Sequence, residues 1–307
     1  MKLSQLVLLK EQLNQIPFDS LQTALSRVSD ELTYITQDTD YSLTNDQDVL
    51  VQALATFHQK IADLKLTIDQ DIKKIEPEYF VKSYYAYSHE LERSAENIQS
   101  NITNPNVNLD LTLFTSRLRK YADWHYPGLI IRPNLESFID DMVPHDPLYI
   151  ADISYELLQP ALDKFNTQYQ TRLRTSVIDE NSIDPLLNAI PDGQFGVIFA
   201  YNFLNFRPLE LFKKYLSEAY QKLKPGGVFI LTFNDCDRFA GVQAAEINYT
   251  VYTPGYLIRE LAQLNGFKVE YECATSGPST WLELQKPGTL SSLKGGQTLA
   301  KILPKAL

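Results

Sequence analysis

The sequence predicts an α/β fold, a mostly parallel sheet with helices on both faces, preceded by an all-α region. Three observations predict it. Up to about residue 100 apolar residues recur every three or four positions, the rhythm of a helix face. Beyond it, short apolar runs alternate with amphipathic stretches of helix length, the mark of βαβ units. Between the two lies Ser100-Asn101-Ile102-Thr103-Asn104-Pro105-Asn106, turn chemistry throughout and the best linker.

Composition bounds the function. A chain of 307 residues, 44% hydrophobic and 21% charged, can bury the core of one large domain or two ordinary ones. A formal net charge of −10, with no Lys/Arg run, argues against sequence-independent binding to nucleic acid. Cys236 and Cys273, with no signal peptide, read as reduced thiols of a cytoplasmic protein. No run approaches the ~20 apolar residues of a membrane span. The four histidines, His58, His89, His125 and His145, are scattered, so no metal site is expected.

The expected helices begin with Leu3–Ile16, stopping near Pro17. A second covers about Asp19–Ile35, capped by Asp19 or Ser20, with Leu21, Leu25, Val28 and Leu32 on one stripe. Leu50, Leu54, Phe57, Ile61, Leu64, Ile68, Ile72 and Ile75 form a near-heptad seam, and Pro77 marks its predicted end. Tyr79–Gln99 reads as a further helix. The seam fits a hairpin packed on itself or on the next domain better than a dimerising coiled coil, since it runs for only three or four heptads. Tyr79, Tyr84, Tyr85 and Tyr87 either line a cleft or pack half-buried with their hydroxyls in water.

The expected strands are Gly128–Ile131, Leu148–Ile150, Arg174–Ile178, Gly196–Ala200, Val228–Thr232, Lys268–Tyr271 and Trp281–Leu284. Between them lie helices at about Leu135–Met142, Glu156–Gln168, Leu209–Leu223 and Pro254–Leu264. In such sheets ligands bind at the carboxyl ends of the strands, where strand order reverses. The predicted division is a helical region at 1–100, a linker and lead-in helix at 101–125, the α/β domain at 126–288 and a tail at 289–307.

Four motifs in this order carry a resemblance. Leu223-Lys224-Pro225-Gly226-Gly227-Val228-Phe229-Ile230-Leu231 is a helix–turn–strand junction whose glycines permit positive φ. Asp192-Gly193-Gln194-Phe195-Gly196 leads into the preceding strand, Asn265-Gly266-Phe267 into a later one, and Trp281–Pro287 closes the sheet. Together they resemble the class I S-adenosylmethionine (SAM)-dependent methyltransferases, a Rossmann-like fold with a seven-stranded sheet. The resemblance implies SAM as cofactor, and it assigns residues. Asp152, ending the second strand, falls where the family places an acid on the ribose hydroxyls, although a helix cap competes, with Ser154 as rival. Asp179 or Glu180 falls where a carboxylate meets the adenine amino group, and a solvated loop acid is the alternative. Arg132, Pro133 and Asn134 replace the loop beside the methionyl part, with Ile153 and Tyr201 nearby.

That loop, the family's motif I, is degenerate. In Gly128-Leu129-Ile130-Ile131-Arg132-Pro133-Asn134-Leu135-Glu136, Ile130 stands where the strand acid is expected, and Asn134 and Glu136 where the glycines are. A bulky residue at such a position costs on the order of 1–3 kcal/mol, roughly ten- to a hundredfold in affinity or more. Asn tolerates positive φ, so the turn can survive at Asn134.

Acceptor-side candidates are Tyr201, Asn202 and Asn205 after strand four and Asp235 after strand five, each also readable as capping, packing or turn chemistry. No nucleophile elbow or phosphate loop occurs. Two functions therefore compete: methyl transfer from SAM to an unidentified small molecule or protein, and a catalytically inactive, pseudoenzyme role as a structural or assembly subunit. In the second, the N-terminal helices hold a homodimer or larger assembly. A third, weaker reading is an enzyme binding a different nucleotide.

Overall fold

The computed structural model describes residues 2–16, 23, 44–92, 108–133 and 136–290. The predicted helix at Asp19–Ile35, the linker at Ser100–Asn106, Asn134 and most of the tail lie outside the described residues. The chain divides into two compact units, Met1–Glu78 and Tyr79–Leu307.

The first unit holds α1 (Leu3–Asn14) and most of α2 (Thr44–Leu91). α1 buries Leu3, Leu6, Val7 and Leu13, the spacing of one helix face. Lys10 of α1 pairs with Asp69 of α2 at 2.7 Å. The seam is buried at Ile61, Ile68 and Ile72, whereas Phe57 and Leu64 are exposed.

α2 overturns the expected stop at Pro77, because it runs on to Leu91 with Pro77 inside it. A proline inside a helix removes one hydrogen bond and crowds the carbonyl four residues earlier, at a cost of about 3 kcal/mol. The buried stripe explains why the helix continues. Ile68, Ile72, Glu76, Tyr79, Ser83, Ala86 and Glu90 are all buried at spacings of three or four, and Pro77 sits on the exposed face. Tertiary packing outweighs the local penalty, and the separate helix expected from Tyr79 is the end of the same one.

The second unit contains a seven-stranded sheet, ordered β3-β2-β1-β4-β5-β7-β6. The strands are β1 (Gly128–Ile131), β2 (Leu148–Asp152), β3 (Leu173–Val177), β4 (Phe195–Ala200), β5 (Leu223–Asn234), β6 (Lys268–Ala274) and β7 (Ser279–Gln285). β7 runs antiparallel to β5 and β6, and every other pairing is parallel. Helices α3 (Asn108–Arg119), α4 (Glu136–Met142), α5 (Tyr155–Asp163), α6 (Thr167–Gln170), α7 (Leu209–Lys222), α8 (Phe239–Glu246) and α9 (Gly255–Leu264) surround it. This is the Rossmann-like class I methyltransferase arrangement that the resemblance implies.

Alternation along the central strands splits the core into two layers. Leu129, Ile131, Ile198, Phe229 and Leu231 pack with Phe212, Tyr215 and Leu216 of α7 and Ile258 of α9. Ile130, Ile150, Val197, Phe199 and Ile230 face the other way, onto Phe114 of α3, Phe138 of α4 and Leu158 of α5. Phe114 lies flat on Trp281, with centroids 4.3 Å apart and planes 3° from parallel. Arg117 of α3 also reaches the buried Glu283 of β7 through two hydrogen bonds, at 2.7 and 2.5 Å.

The Pro-Gly-Gly segment is a bulge within β5 rather than a turn before it. Leu223 pairs with Phe195 and Val228 with Val197, so the residues between loop out of register. Gly226 has φ +83°, and a Cβ there would stand 2.4 Å from the backbone nitrogen of Leu290. Gly226 N–H donates to Lys286 C=O and Lys286 N–H to Gly227 C=O, each at 2.9 Å. Two other differences are local. The helix expected over Glu156–Gln168 is broken into α5 and α6, with Asn166 capping the second through Tyr169 N–H. α8, which sequence periodicity does not signal, follows β5 directly.

Candidate functional site

Strand order reverses between β1 and β4, so the crevice expected of this architecture opens at their carboxyl ends. Four chain segments converge there. Arg132 immediately follows β1 and is held in the left-handed region at φ 62°, a conformation rare for a residue with a side chain. Asp152 is the last residue of β2 and is fully buried. Glu180 follows β3. Phe203 and Arg207 flank the 3-10 turn Leu204–Phe206 after β4.

These side chains pair with one another and with the end of α2. Arg132 Nε and Nη2 face the two carboxylate oxygens of Asp152 at 3.4 and 3.5 Å, and its Nη1 donates to Glu90 in a short contact. The other Glu90 oxygen accepts from Arg207 Nη1 at 3.1 Å. Arg207 Nε donates to Glu180 at 2.8 Å, and the hydroxyls of Tyr215 and Tyr87 donate to the same carboxylate at 2.7 and 2.9 Å. The Phe203 ring lies 3.9 Å from the Arg207 guanidinium carbon and 4.9 Å from that of Arg132, the geometry of cation–π attraction.

Charge and burial set the titration of the cluster. It holds two guanidiniums, Arg132 and Arg207, against three carboxylates, Glu90, Asp152 and Glu180. Burial pushes the Asp152 carboxyl above its ordinary range, and Arg132 only partly opposes this. Burial pushes the Glu90 carboxyl the same way, but Arg207 and Arg132 together overcome it and hold the group below the ordinary value. Burial also opposes the charge of Arg207, yet Glu180 and Glu90 keep its pKa raised. Tyr215 and Tyr87 are pushed up by burial and by the Glu180 charge they donate to, so both remain neutral donors. One donor is orphaned among the described residues: the second terminal nitrogen of Arg207, Nη2, is buried with no hydrogen-bond partner among them.

The other candidates carry no charge of this ion-pair network. Pro133 is buried, and Ile153 packs half-buried on the core while its N–H donates to Asp152 at 2.7 Å. Asp179 is exposed and accepts from Asn181 N–H at 3.0 Å, in a local turn. Asn134 is outside the described residues, and Glu136 opens α4 with its side chain outside them. Tyr201 sits in the aromatic core, 4.9 Å from Phe138 between ring centroids. Asn202 adopts φ 47°, and its N–H donates to Thr232 at 2.8 Å. Asn205 is buried between Thr232 and Ser279. Asp235 accepts from Thr280 at 2.7 Å and from Asp237 N–H at 3.1 Å, and burial raises its pKa despite Thr280.

His145 lies at the opposite edge of the sheet, beneath Gly128, where a Cβ on the glycine would stand 2.8 Å from the His145 Cβ. Its Nδ1 faces the Tyr126 carbonyl at 3.3 Å, which fixes the proton on Nδ1 in the neutral ring. Among the described residues no group of acids, histidines and cysteines could hold a metal ion, and no helix is long and apolar enough to cross a membrane.

No protein-family model matches the chain, and no curated protein matches it. Solved structures do resemble it in shape. A SAM-dependent methyltransferase from Aquifex aeolicus is 13% identical, with a TM-score of 0.46 over 64% of this chain and 100% of that one. The N-methyltransferase NodS from Bradyrhizobium japonicum, in complex with S-adenosylhomocysteine, is 14% identical, with a TM-score of 0.48 over 67% and 99%. An O-methyltransferase family protein from Burkholderia thailandensis is 14% identical, with a TM-score of 0.48 over 66% and 62%. The Rossmann-like fold rests on the strand order and not on these likenesses.

Sequence reasoning missed half of the cluster. Arg207 follows Phe203-Leu204-Asn205-Phe206, and a cation just after two aromatics and before a helix is a readable signal. Tyr215 looks like any apolar member of α7. Glu90 lies in the polar stretch Ser88-His89-Glu90-Leu91-Glu92, and only its place on the buried stripe of α2 distinguishes it.

Proposed function

We propose that this chain is a SAM-dependent methyltransferase-like protein, moving a methyl group from SAM to a small-molecule or protein acceptor when its crevice opens. One observation carries the reading: Asp152 ends β2 beside the strand-order reversal and faces Arg132, which a Glu90 carboxylate links to the Arg207–Glu180 pair. The donor set suits the cofactor chemically. Asp152 offers a carboxylate to ribose hydroxyls, Asp179 or Glu180 one to the adenine amino group, and the guanidiniums suit the methionyl carboxylate. The orphaned Arg207 Nη2 supports the same fit, since a buried donor without a partner favours an incoming acceptor. Arg132 and Pro133, with Ile153, Tyr201 and, as the resemblance implies, Asn134, are the residues proposed to complete the surround.

The cofactor supplies an activated methyl group, so the chain's task is positioning and the exclusion of water. Phe203 and Tyr215 provide apolar walls, and Tyr201, Asn202, Asn205 and Asp235 are the groups proposed for the acceptor side. Glu90 must leave the guanidiniums before a ligand enters. Breaking a buried pair costs about 3–5 kcal/mol, a factor of roughly 100–5,000 in affinity. SAM should therefore bind weakly to the closed form.

The closed cluster also favours a second reading, a non-catalytic descendant of the fold. There the network replaces the ligand permanently, and the helical region at 1–100 serves assembly as a coiled coil. In both readings the division proposed is the helical region, the lead-in at 101–125, the α/β domain at 126–288 and the tail.

Isothermal titration separates the two. Binding of SAM or S-adenosylhomocysteine that is lost in Asp152→Asn supports the enzyme. No heat at millimolar ligand would overturn it.

A further inference from the structure

The Glu90 carboxylate is held as a bound anion would be. Its two oxygens accept from two different guanidiniums, Arg132 and Arg207, and all three side chains are at most 1% exposed. The ion count makes this acid the surplus one. Asp152 already faces Arg132, and Glu180 already faces Arg207. Without Glu90 the cluster is two cations and two anions, and Arg132 Nη1 and Arg207 Nη1 lose the carboxylate oxygens that Glu90 gives them. Arg207 further keeps a buried terminal nitrogen with no acceptor among the described residues.

Glu90 also differs from the other acids in where it sits. Asp152 and Glu180 lie at the sheet, whereas Glu90 is carried in by α2. Besides Glu90, polar contacts at the end of that helix include Tyr252 N–H to the Ser83 hydroxyl at 2.8 Å, Tyr79 hydroxyl to Glu246 at 3.1 Å and Tyr87 hydroxyl to Glu180 at 2.9 Å. Its exposed side carries Val81, Tyr84, Tyr85 and Leu91.

We propose that Arg132 and Arg207 form a carboxylate-binding site which Glu90 fills from within, so that the end of α2 competes with any ligand that carries a carboxylate into the crevice. The inference deepens the proposed function and rests on it only in naming the amino-acid end of the cofactor as that ligand's source. The site itself requires only that a monocarboxylate can replace Glu90, charge for charge, between the guanidiniums. The other source is a free carboxylate effector.

Two experiments on the full-length chain test it. The first compares S-adenosylhomocysteine with methylthioadenosine, which lacks the amino-acid end, on wild type and on Glu90→Gln. Competition predicts that the substitution tightens S-adenosylhomocysteine by about tenfold or more and leaves methylthioadenosine within about threefold. Equal tightening of both would overturn the carboxylate site in favour of simple steric closure.

The second needs no nucleoside. Acetate is titrated into wild type, Glu90→Gln and Glu90→Ala while the Nε–H resonances of Arg132 and Arg207 are followed by NMR. Saturable shifts in either variant, absent in wild type, are expected. Folded variants in which acetate moves neither resonance would overturn the proposal. If acetate binds the variants but neither nucleoside binds any form, the carboxylate site stands on the effector source and the SAM reading fails.

Discussion

Removing either end of the Arg132–Glu90 pair should have very unequal consequences for stability. Arg132→Met takes a guanidinium from a cluster that already has more anions than cations. Asp152, fully buried, would keep the Ile153 N–H hydrogen bond and the more distant charge of Arg207, and Glu90 would share Arg207 with Glu180. Stranding a buried charge in this way costs about 3–5 kcal/mol. Part of that loss would be relieved because the Asp152 carboxyl, already raised by burial, can take up a proton. Glu90→Gln removes the surplus anion and keeps a side chain able to accept one hydrogen bond, so its cost should stay below about 2 kcal/mol. Urea denaturation followed by the fluorescence of the buried Trp281 reads both values. The reasoning is refuted if Glu90→Gln destabilises the protein as much as Arg132→Met does.

Three further outcomes follow from the same structure. His145 is lowered to about 4 by burial against an ordinary value of 6.5, so the unfolded chain binds a proton there that the native chain does not. Stability from this group is therefore complete above pH 6.5 and falls by roughly 3 kcal/mol down to pH 4. His145→Gln should flatten that limb in a pH series of denaturation curves. Gly226→Ala forces a side chain into φ +83° and against Leu290, whereas Gly193→Ala at φ +63° meets open space. The first should lower the thermal midpoint clearly more than the second, whose cost is only the left-handed penalty of about 1–2 kcal/mol. Phe114→Ala removes the ring stacked on Trp281 and should cost about 3–5 kcal/mol in the same urea assay.

How much of this was legible depended on whether a feature was local. The seven strands were readable because each is a short apolar run bounded by turn residues. The Pro-Gly-Gly junction was readable because positive φ selects glycine. Pro77 misled for the same reason: its local rule is sound, and a buried stripe from Ile68 to Glu90 outweighed it. That stripe was visible in the spacing, but Glu76, Ser83 and Glu90 are polar, and an apolar pattern search stops at Ile75. Arg132 and Asp152 were both singled out from sequence. Their closure by Glu90 and Arg207 was not legible, because pairing across 42 and 117 positions is set by tertiary folding rather than by spacing.

The central claim is that the crevice beside Asp152 is a cofactor site which Glu90 closes. A crystal structure grown with millimolar S-adenosylhomocysteine tests it most directly. The account predicts ligand density against Asp152, with Arg132 turned from that carboxylate and Glu90 withdrawn from both guanidiniums. An unchanged Arg132–Glu90–Arg207 network, with no ligand in the crevice, would contradict it.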